Sequence, residues 1–350
     1  MIFRRYDLIV IHDFDGRPYY KALEESKKVL FVNSRPFRFF IRDLIKKKTV
    51  TKDVLNSLLV FFLIPFFRKR NILLAMAPLN WRVLLYGTLH YKNQVIYHSS
   101  WPFWSMGSTP FSYGFFDPLL ALIWKKYLNN FRFIVAVTKS SKKSLSVFSD
   151  RQDVVQIYHS VDCNEIDSVD FSKKWLNVET FTVGFLGRLE YSKGVDDVIE
   201  IAKQCRCNMV VAGFGSLENK IVRAEASNFL TYNGHLKDRE LVRKFLSGLH
   251  ILLLPSKKTE GWEELFGLVI VEAMSQGVVV ITTSHVGPIE IIENSVDGYV
   301  FSEKEYVAST GRLLNSNCFV DFENVAANAI SSSRKFKLSA IKKEWESLIG

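Results

Sequence analysis

V-G-F-L-G-R-L-E-Y-S-K-G, residues 183–194, runs from strand-like apolar residues into glycines flanked by two cations, Arg188 and Lys193. The helical spacing of Val195–Lys203 follows at once, so the stretch reads as strand, turn and helix. The same alternation continues downstream. Strands are expected at Thr182–Leu186, Met209–Ala212, Leu230–Tyr232, Ile251–Leu254 and Val278–Thr282. Helices are expected between them at Leu217–Ala226, Asp238–Leu246 and Leu268–Met274. Strands separated by helices pack as a largely parallel sheet with helices on its faces.

Upstream the pattern repeats in a second, separate series. Short apolar runs at Leu8–Ile11, Val29–Val32, Ile72–Met76, Val95–Tyr97, Ile134–Val137 and Val154–Ile157 alternate with helical stretches such as Tyr19–Lys27 and Pro118–Leu128. A polar, poorly patterned segment, Cys163 to Lys174, separates the two series. A chain of 350 residues also exceeds one ordinary core. The expected fold is therefore α/β: two facing Rossmann-like domains over 1–165 and 166–330, with a cleft between the carboxyl ends of their sheets. The amphipathic stretch Phe336–Ile349 makes 331–350 a C-terminal helix, able to pack back toward the N-terminal domain.

Two segments carry chemistry. Arg188 and Lys193 lie just past a strand end beside glycines that admit a ligand to the backbone, which suits a diphosphate, although two solvated surface cations would look the same. Some 75 residues on, E-L-F-G-L-V-I-V-E-A-M-S-Q-G spans 264–277. There the Phe266-Gly267 turn opens a helix whose free N–H groups and dipole can receive a phosphate. Glu264 and Glu272 are eight residues, about 2.2 turns, apart and can face one side. Such a pair beside a phosphate site suits the hydroxyls of a sugar nucleotide better than glycoside hydrolysis.

Taken together, G-R-L-x-x-x-K-G at 187–194, A-G-F-G at 212–215 and E-x7-E-A-M from Glu264 resemble family 4 of the retaining GT-B glycosyltransferases, in that family's order and spacing. The resemblance covers most of 180–300, and the N-terminal half shares only the pattern. It implies that Arg188 and Lys193 hold the donor diphosphate, that Glu264 meets the transferred sugar, and that Glu272 binds the ribose. It adds the amides of Phe266, Gly267 and Leu268 as a phosphate cradle, with Gly187 and Gly213 at the donor-side turns. His235 and Leu236 fall where the family's backbone reads the base, His98 where a histidine touches the sugar, and Gly16 where a glycine loop faces the phosphates. A nucleotide-diphosphate sugar as donor, no metal or other cofactor, and a glycan or lipid-linked acceptor follow, with no protein nucleophile. One departure stands out: Pro255-Ser256 is followed by K-K-T-E-G-W-E before Glu264, longer than the family's loop, and Glu260-Gly261-Trp262 imitates the family's E-G-F at the wrong spacing.

Composition constrains the setting. Four cysteines, Cys163, Cys205, Cys207 and Cys318, offer neither a disulfide framework nor a metal pair, which fits a reduced cytoplasmic compartment. Cys205 and Cys207 are expected to fill one face of a strand. The N-terminal apolar run is too short for a signal peptide. Ser57–Phe67, the most apolar stretch, is far short of the roughly 20 residues of a membrane span. Residues 1–162 hold 25 Lys and Arg against 11 Asp and Glu, a net of +14, whereas the rest holds 21 against 25, a net of −4. That asymmetry points to an anionic partner surface. No nucleic-acid motif accompanies it. Peripheral contact with an anionic membrane, at the inner face of the cell membrane, is expected through Arg35–Arg70, with Phe37, Phe39, Phe40, Ile41, Leu44 and Ile45 toward lipid. Rival readings are a metal-dependent transferase using Asp13-Phe14-Asp15, a sugar-nucleotide epimerase, and a non-catalytic partner protein of the same fold.

Overall fold

The computed structural model describes residues 5–13, 17–46, 49–104, 109–162, 166–260, 262–315 and 319–350. The chain divides into two compact units, Met1–Ser160 with Leu338–Gly350, and Val161–Lys337. The sequence sets its boundary at 165 and its tail at 331. The second unit instead runs on to Lys337, because helix Phe319–Ser333 buries Phe322, Val325 and Ala326 in that unit's core. Beyond it, helix Leu338–Ile349 places Ile341 and Trp345 against Leu8 and Val10 of the first unit.

The first unit is built on β1 (Leu8–His12), β2 (Val29–Asn33), β3 (Asn71–Ala75), β4 (Gln94–Ser99), β5 (Phe133–Ala136) and β6 (Val155–Gln156). They lie in the order β2-β1-β3-β4-β5-β6, every pairing parallel. Central strands such as β1 are buried along their whole length, which is why they read as unbroken apolar runs. Helices Pro36–Lys46 and Lys52–Leu63 follow β2 and pack on each other. Ser57–Phe67 thus divides between a helix and its 3-10 continuation, burying Ser57, Val60 and Ile64 while leaving Leu59, Phe62 and Phe66 exposed. Among the described residues no helix is long and apolar enough to cross a membrane.

The second unit contains β7 (Thr182–Arg188), β8 (Asn208–Phe214), β9 (Thr231–Tyr232), β10 (Ile251–Leu254), β11 (Val279–Thr283) and β12 (Tyr299–Phe301). Their order is β12-β11-β10-β7-β8-β9, again all parallel. Counted within the unit this is third, second, first, fourth, fifth, sixth, the doubly wound dinucleotide-fold order. The direction in which successive strands are added reverses between β7 and β10, which makes the carboxyl ends of those two strands the switch point of the sheet.

Two local expectations change. The segment read as unpatterned holds helix Ser168–Trp175, capped by the Asp167 carboxylate accepting from the Asp170 N–H at 2.8 Å. Only Phe171 and Trp175 of this helix pack on the unit's core, and Val169 is exposed, too few apolar contacts to show as a period. Cys205 and Cys207 are not strand residues. Cys205 ends helix Val195–Gln204 and Cys207 precedes β8, yet both pack on the unit's core, and burial raises both thiols' pKa, Cys207 to about 12.

Candidate functional site

β7 ends on Arg188, and register pairs it with Phe214 at the end of β8. The two backbones meet closely there. Gly213 has φ +151°, and a Cβ on it would stand 1.8 Å from the Gly187 carbonyl oxygen. Glycine is therefore required at Gly213, while at Gly187 a Cβ would make only ordinary contact with the Phe185 ring at 3.5 Å. Arg188 Nη1 lies 2.8 Å from Glu190 Oε2, and both side chains reach solvent. An exposed pair of this kind contributes about 0–1 kcal/mol, so the guanidinium can turn to another anion at small cost.

Past Arg188 the chain makes the short 3-10 turn Tyr191–Lys193 and caps helix Val195–Gln204 with Gly194 at φ +69°. A Cβ there would fall 1.9 Å from the Pro255 carbonyl oxygen, so the turn can press on the loop leaving β10 only as glycine. The Lys257 N–H donates to the Ser192 carbonyl at 2.8 Å and closes the contact. Lys193 is thereby held at the point where the sheet order reverses, and its ammonium pairs with the Glu264 carboxylate. These two side chains are 18% and 21% exposed, so their attraction is screened far less than that of the Arg188 pair.

The lengthened loop has a specific form. Thr259 and Trp262 exchange two N–H to carbonyl bonds, each 3.1 Å, so the lengthened loop closes on itself in an antiparallel pairing of these two residues. This pairing sets Lys193 Nζ 4.6 Å from the centre of the Trp262 ring. Glu260 is exposed, whereas Glu264 receives Lys193 and, at 3.4 Å, the Ser256 hydroxyl. His285 fixes the loop from behind. Its Nδ1 accepts the Glu264 N–H at 3.4 Å and its Nε2–H donates to the Ser256 carbonyl at 2.9 Å, a pairing that assigns the tautomer. The Gly287 N–H donates to the Glu264 carbonyl at 2.9 Å.

Helix Leu268–Ser275 starts only after Gly267, its N-cap at φ +85°. Glu264 therefore belongs to the preceding loop and Glu272 to the helix, and the two carboxylates meet different cations. Glu272 Oε1 lies 3.0 Å from Arg239 Nη1 and borders a cavity of about 230 Å³ also lined by Asp162 and Arg243. Burial raises the Glu272 pKa, Arg239 opposes the rise and Asp162 adds to it. Burial dominates because Arg239 is itself mostly in water, where its charge is screened. His235 and Leu236 follow β9, and the His235 ring lies 4.1 Å from that of exposed Phe214.

In the first unit, Gly16, Phe14 and Asp15 lie outside the described residues. Asp13 is described, and its carboxylate is fully engaged. It accepts the Ser34 hydroxyl, the Ala77 N–H at 3.0 Å and Asn80 Nδ2 at 2.7 Å, joining the loops after β1, β2 and β3. Asp13 thus acts as a structural brace between these loops. Among the described residues no three His, Cys, Asp or Glu groups stand close enough to share an ion. His98 lies inside β4, 4% exposed, with Nδ1 2.7 Å from the Tyr20 hydroxyl and its ring 5.6 Å from Trp345. Burial pushes its pKa down to about 3, which keeps the imidazole neutral.

The second unit thus gathers Arg188, Lys193, Glu264, Gly213 and the helix start at Gly267 around the β7 and β10 strand ends, and sets Glu272 beside its own cavity. Sequence reasoning missed Glu190, Phe214, Arg239, Trp262 and His285. Glu190 and Phe214 were visible inside the quoted glycine motifs and Trp262 inside the lengthened loop, while Arg239 and His285 come from segments with no motif of their own.

Comparison with known proteins bears on the family and the fold. Residues 168–323 match the family model described as glycosyl transferases group 1. The uncharacterized glycosyltransferase MJ1607 of Methanocaldococcus jannaschii is 26% identical over 183 residues, 47% of this chain and 45% of that protein. The capsular polysaccharide biosynthesis glycosyltransferase CapM of Staphylococcus aureus is 27% identical over 143 residues, 39% of this chain and 36% of that protein. The chain thus matches less than half the length of these relatives. Over the whole fold, the crystal structure of Anabaena Alr3699/HepE in complex with UDP aligns with a TM-score of 0.67 at 17% identity, covering 97% of this chain and 98% of that one. The fold is that of the GT-B glycosyltransferases.

Proposed function

We propose that this chain, whose residues 168–323 form a group 1 glycosyl transferase domain, moves a sugar from a nucleoside-diphosphate donor to a hydroxyl acceptor during assembly of a surface polysaccharide. The observation that carries this reading is the convergence of Arg188, Lys193 and the helix start at Gly267 on the carboxyl ends of β7 and β10. Open α/β sheets take their ligands at that reversal point. The polysaccharide setting draws on CapM, and uridine as the first base to try draws on the UDP held by HepE.

The demanding event is departure of the diphosphate. Arg188, Lys193 and the first-turn amides supply positive potential already oriented before the bond breaks. Lys193 waits against Glu264, and its three donors let it keep the carboxylate while meeting a phosphate oxygen. Glu264 then stands beside the sugar and Glu272, in its own cavity, beside the ribose. Phe214 and His235 offer aromatic faces toward a base. His98, neutral and fixed by Tyr20, is kept as a sugar contact on the family resemblance alone. Transfer proceeds with retention, the leaving diphosphate oxygen taking the acceptor proton, and without a metal, since the two cations balance the developing charge.

The first unit works against a membrane in this reading. Helices Pro36–Lys46 and Lys52–Leu63, with the 3-10 turn that follows, expose Phe37, Ile41, Leu44 and Phe62, with Ile45 and Phe66 about three-quarters exposed, while Phe39 and Phe40 are half-buried. Arg38, Arg42, Lys46, Arg68 and Lys69 flank them, and each cation near an anionic surface contributes about 1 kcal/mol. Lys47 and Lys48 lie outside the described residues.

The test is nucleoside-diphosphate release from a panel of sugar nucleotides, with and without excess EDTA. One donor should be turned over in both conditions. Turnover of none across uridine, guanosine and adenosine donors would reject the transferase reading. Loss in EDTA that Mn²⁺ restores would reject metal independence.

A further inference from the structure

The first unit contains a cavity of about 830 Å³ that no part of the donor chemistry uses. Its walls are Pro102, Phe103 and Trp104 from the loop after β4, Leu122 and Lys125 from helix Asp117–Asn130, and Val147 with its neighbours from helix Lys139–Ser149. The volume lies within the roughly 300–1,000 Å³ of small-molecule sites. It begins beside the carboxyl ends of β4 and β5, the sheet edge at which α/β folds take ligands.

Two features of the lining define an occupant. The walls are mostly apolar, and two of them also face solvent: Leu122 is 66% exposed and Val147 72%. Scattered exposed apolar residues need no explanation, but a cavity opening between two of them does. The charge beside it is mostly positive. Helix Lys139–Ser149 carries Lys139, Lys142 and Lys143 and no acid, and Lys125 and Lys126 face no acid on their own helix beyond Asp117. The Asp117 carboxylate is already taken by the Ser112 hydroxyl at 2.7 Å and the Tyr113 N–H at 2.6 Å, leaving Asp150, paired to Lys125, as the local counter-charge. An apolar slot of this size under a lysine rim is complementary to an apolar chain ending in an anion.

We propose that this cavity binds the chain of a lipid phosphate, with Lys125 and Lys143 at its phosphate, and so holds the lipid part of the transferase's acceptor. The proposal rests on the transferase reading for the word acceptor, but binding itself does not depend on it. A captured chain would raise the local concentration of the acceptor hydroxyl without any contact to the sugar. It also differs from the exposed helices 36–63, which offer a surface for a bilayer and not a slot for one chain.

The experiment is titration calorimetry of the full chain with farnesyl phosphate, farnesol and inorganic phosphate, below micelle formation, with tryptophan fluorescence reporting on Trp104. Farnesyl phosphate should bind at least tenfold more tightly than farnesol, and inorganic phosphate should give no heat. Val147→Glu, a change at an exposed wall, should weaken farnesyl phosphate at least tenfold. Lys125→Gln with Lys143→Gln should reduce it to the level of farnesol. UDP binding should be unchanged in all these variants, so a failure here is distinguishable from failure of the donor site. Equal binding of alcohol and phosphate, binding of inorganic phosphate alone, or indifference to Val147→Glu would each overturn the proposal. So would binding lost on Ile45→Ser with Phe66→Ser, which would assign the lipid to the other surface.

Discussion

Glu264→Gln separates donor binding from turnover. The amide keeps the shape and one acceptor oxygen for Lys193 and Ser256, and removes only the negative charge beside Lys193. In the unliganded protein this weakens a pair about four-fifths buried. Exposed pairs contribute about 0–1 kcal/mol and breaking buried ones costs about 3–5, so a loss of about 1–2 kcal/mol is expected, a fall of several degrees in Tm. Toward a diphosphate the sign reverses. Two unit charges about 7 Å apart at an effective dielectric near 20 repel by about 2 kcal/mol, and Lys193 offsets part of that. UDP should therefore bind Glu264→Gln as tightly as wild type or up to about tenfold more tightly. Turnover should nevertheless fall by ~10²–10³, the usual effect of removing a preplaced polar group from the reacting centre. Glu260→Gln, at the exposed tip of the Thr259–Trp262 turn, should remain within about twofold in both assays. Calorimetry with UDP and donor-hydrolysis rates on the three proteins give the answer. A Glu260→Gln enzyme more impaired than Glu264→Gln would mean that the motif register is wrong.

Other predictions follow from single interactions. Asp13→Ala leaves buried Asn80 and the Ala77 N–H without their acceptor, so about 2–4 kcal/mol of stability should be lost by denaturant melt, with no rescue by Mn²⁺. Burial depresses the Lys174 pKa to about 7, and its ammonium donates to the Gln276 carbonyl at 2.9 Å. Between pH 7 and the ordinary lysine range the unfolded chain binds the extra proton, so stability rises with pH there. From pH 7 to 9 the wild type should gain about 2 kcal/mol relative to Lys174→Met, and parallel pH profiles would contradict the assignment. Sedimentation with vesicles should require anionic lipid, weaken with salt, and fall when Lys46, Lys47 and Lys48 become Gln; equal recovery in the supernatant with neutral and anionic vesicles would leave the protein off the membrane.

Parallel strands buried on both faces leave continuous apolar runs, so all six strands of the first unit and five of the second are legible in the sequence. The candidate-site motifs are legible because their glycines and charges sit close together in the chain. Sheet order is not, since nothing local says that β10 lies beside β7. Contacts made across long separations are equally hidden: His285 behind Glu264, Arg239 on Glu272, Trp262 over Lys193. The bracing role of Asp13 is hidden for the same reason, because it bonds residues 21 to 67 positions away. The short helix 168–175 hides behind its polar composition, and exposed helices 36–63 carry apolar residues on their outer face, which blurs their period.

The central claim is that Arg188 and Lys193 grip a donor diphosphate at the β7 and β10 strand ends. Titration calorimetry of UDP and of uridine into wild type, Arg188→Ala and Lys193→Ala, each first shown to be folded by circular dichroism, tests it directly. UDP should bind wild type well ahead of uridine, and each substitution should cost at least tenfold in UDP affinity while leaving uridine unchanged. UDP affinity undiminished in both variants would contradict the account.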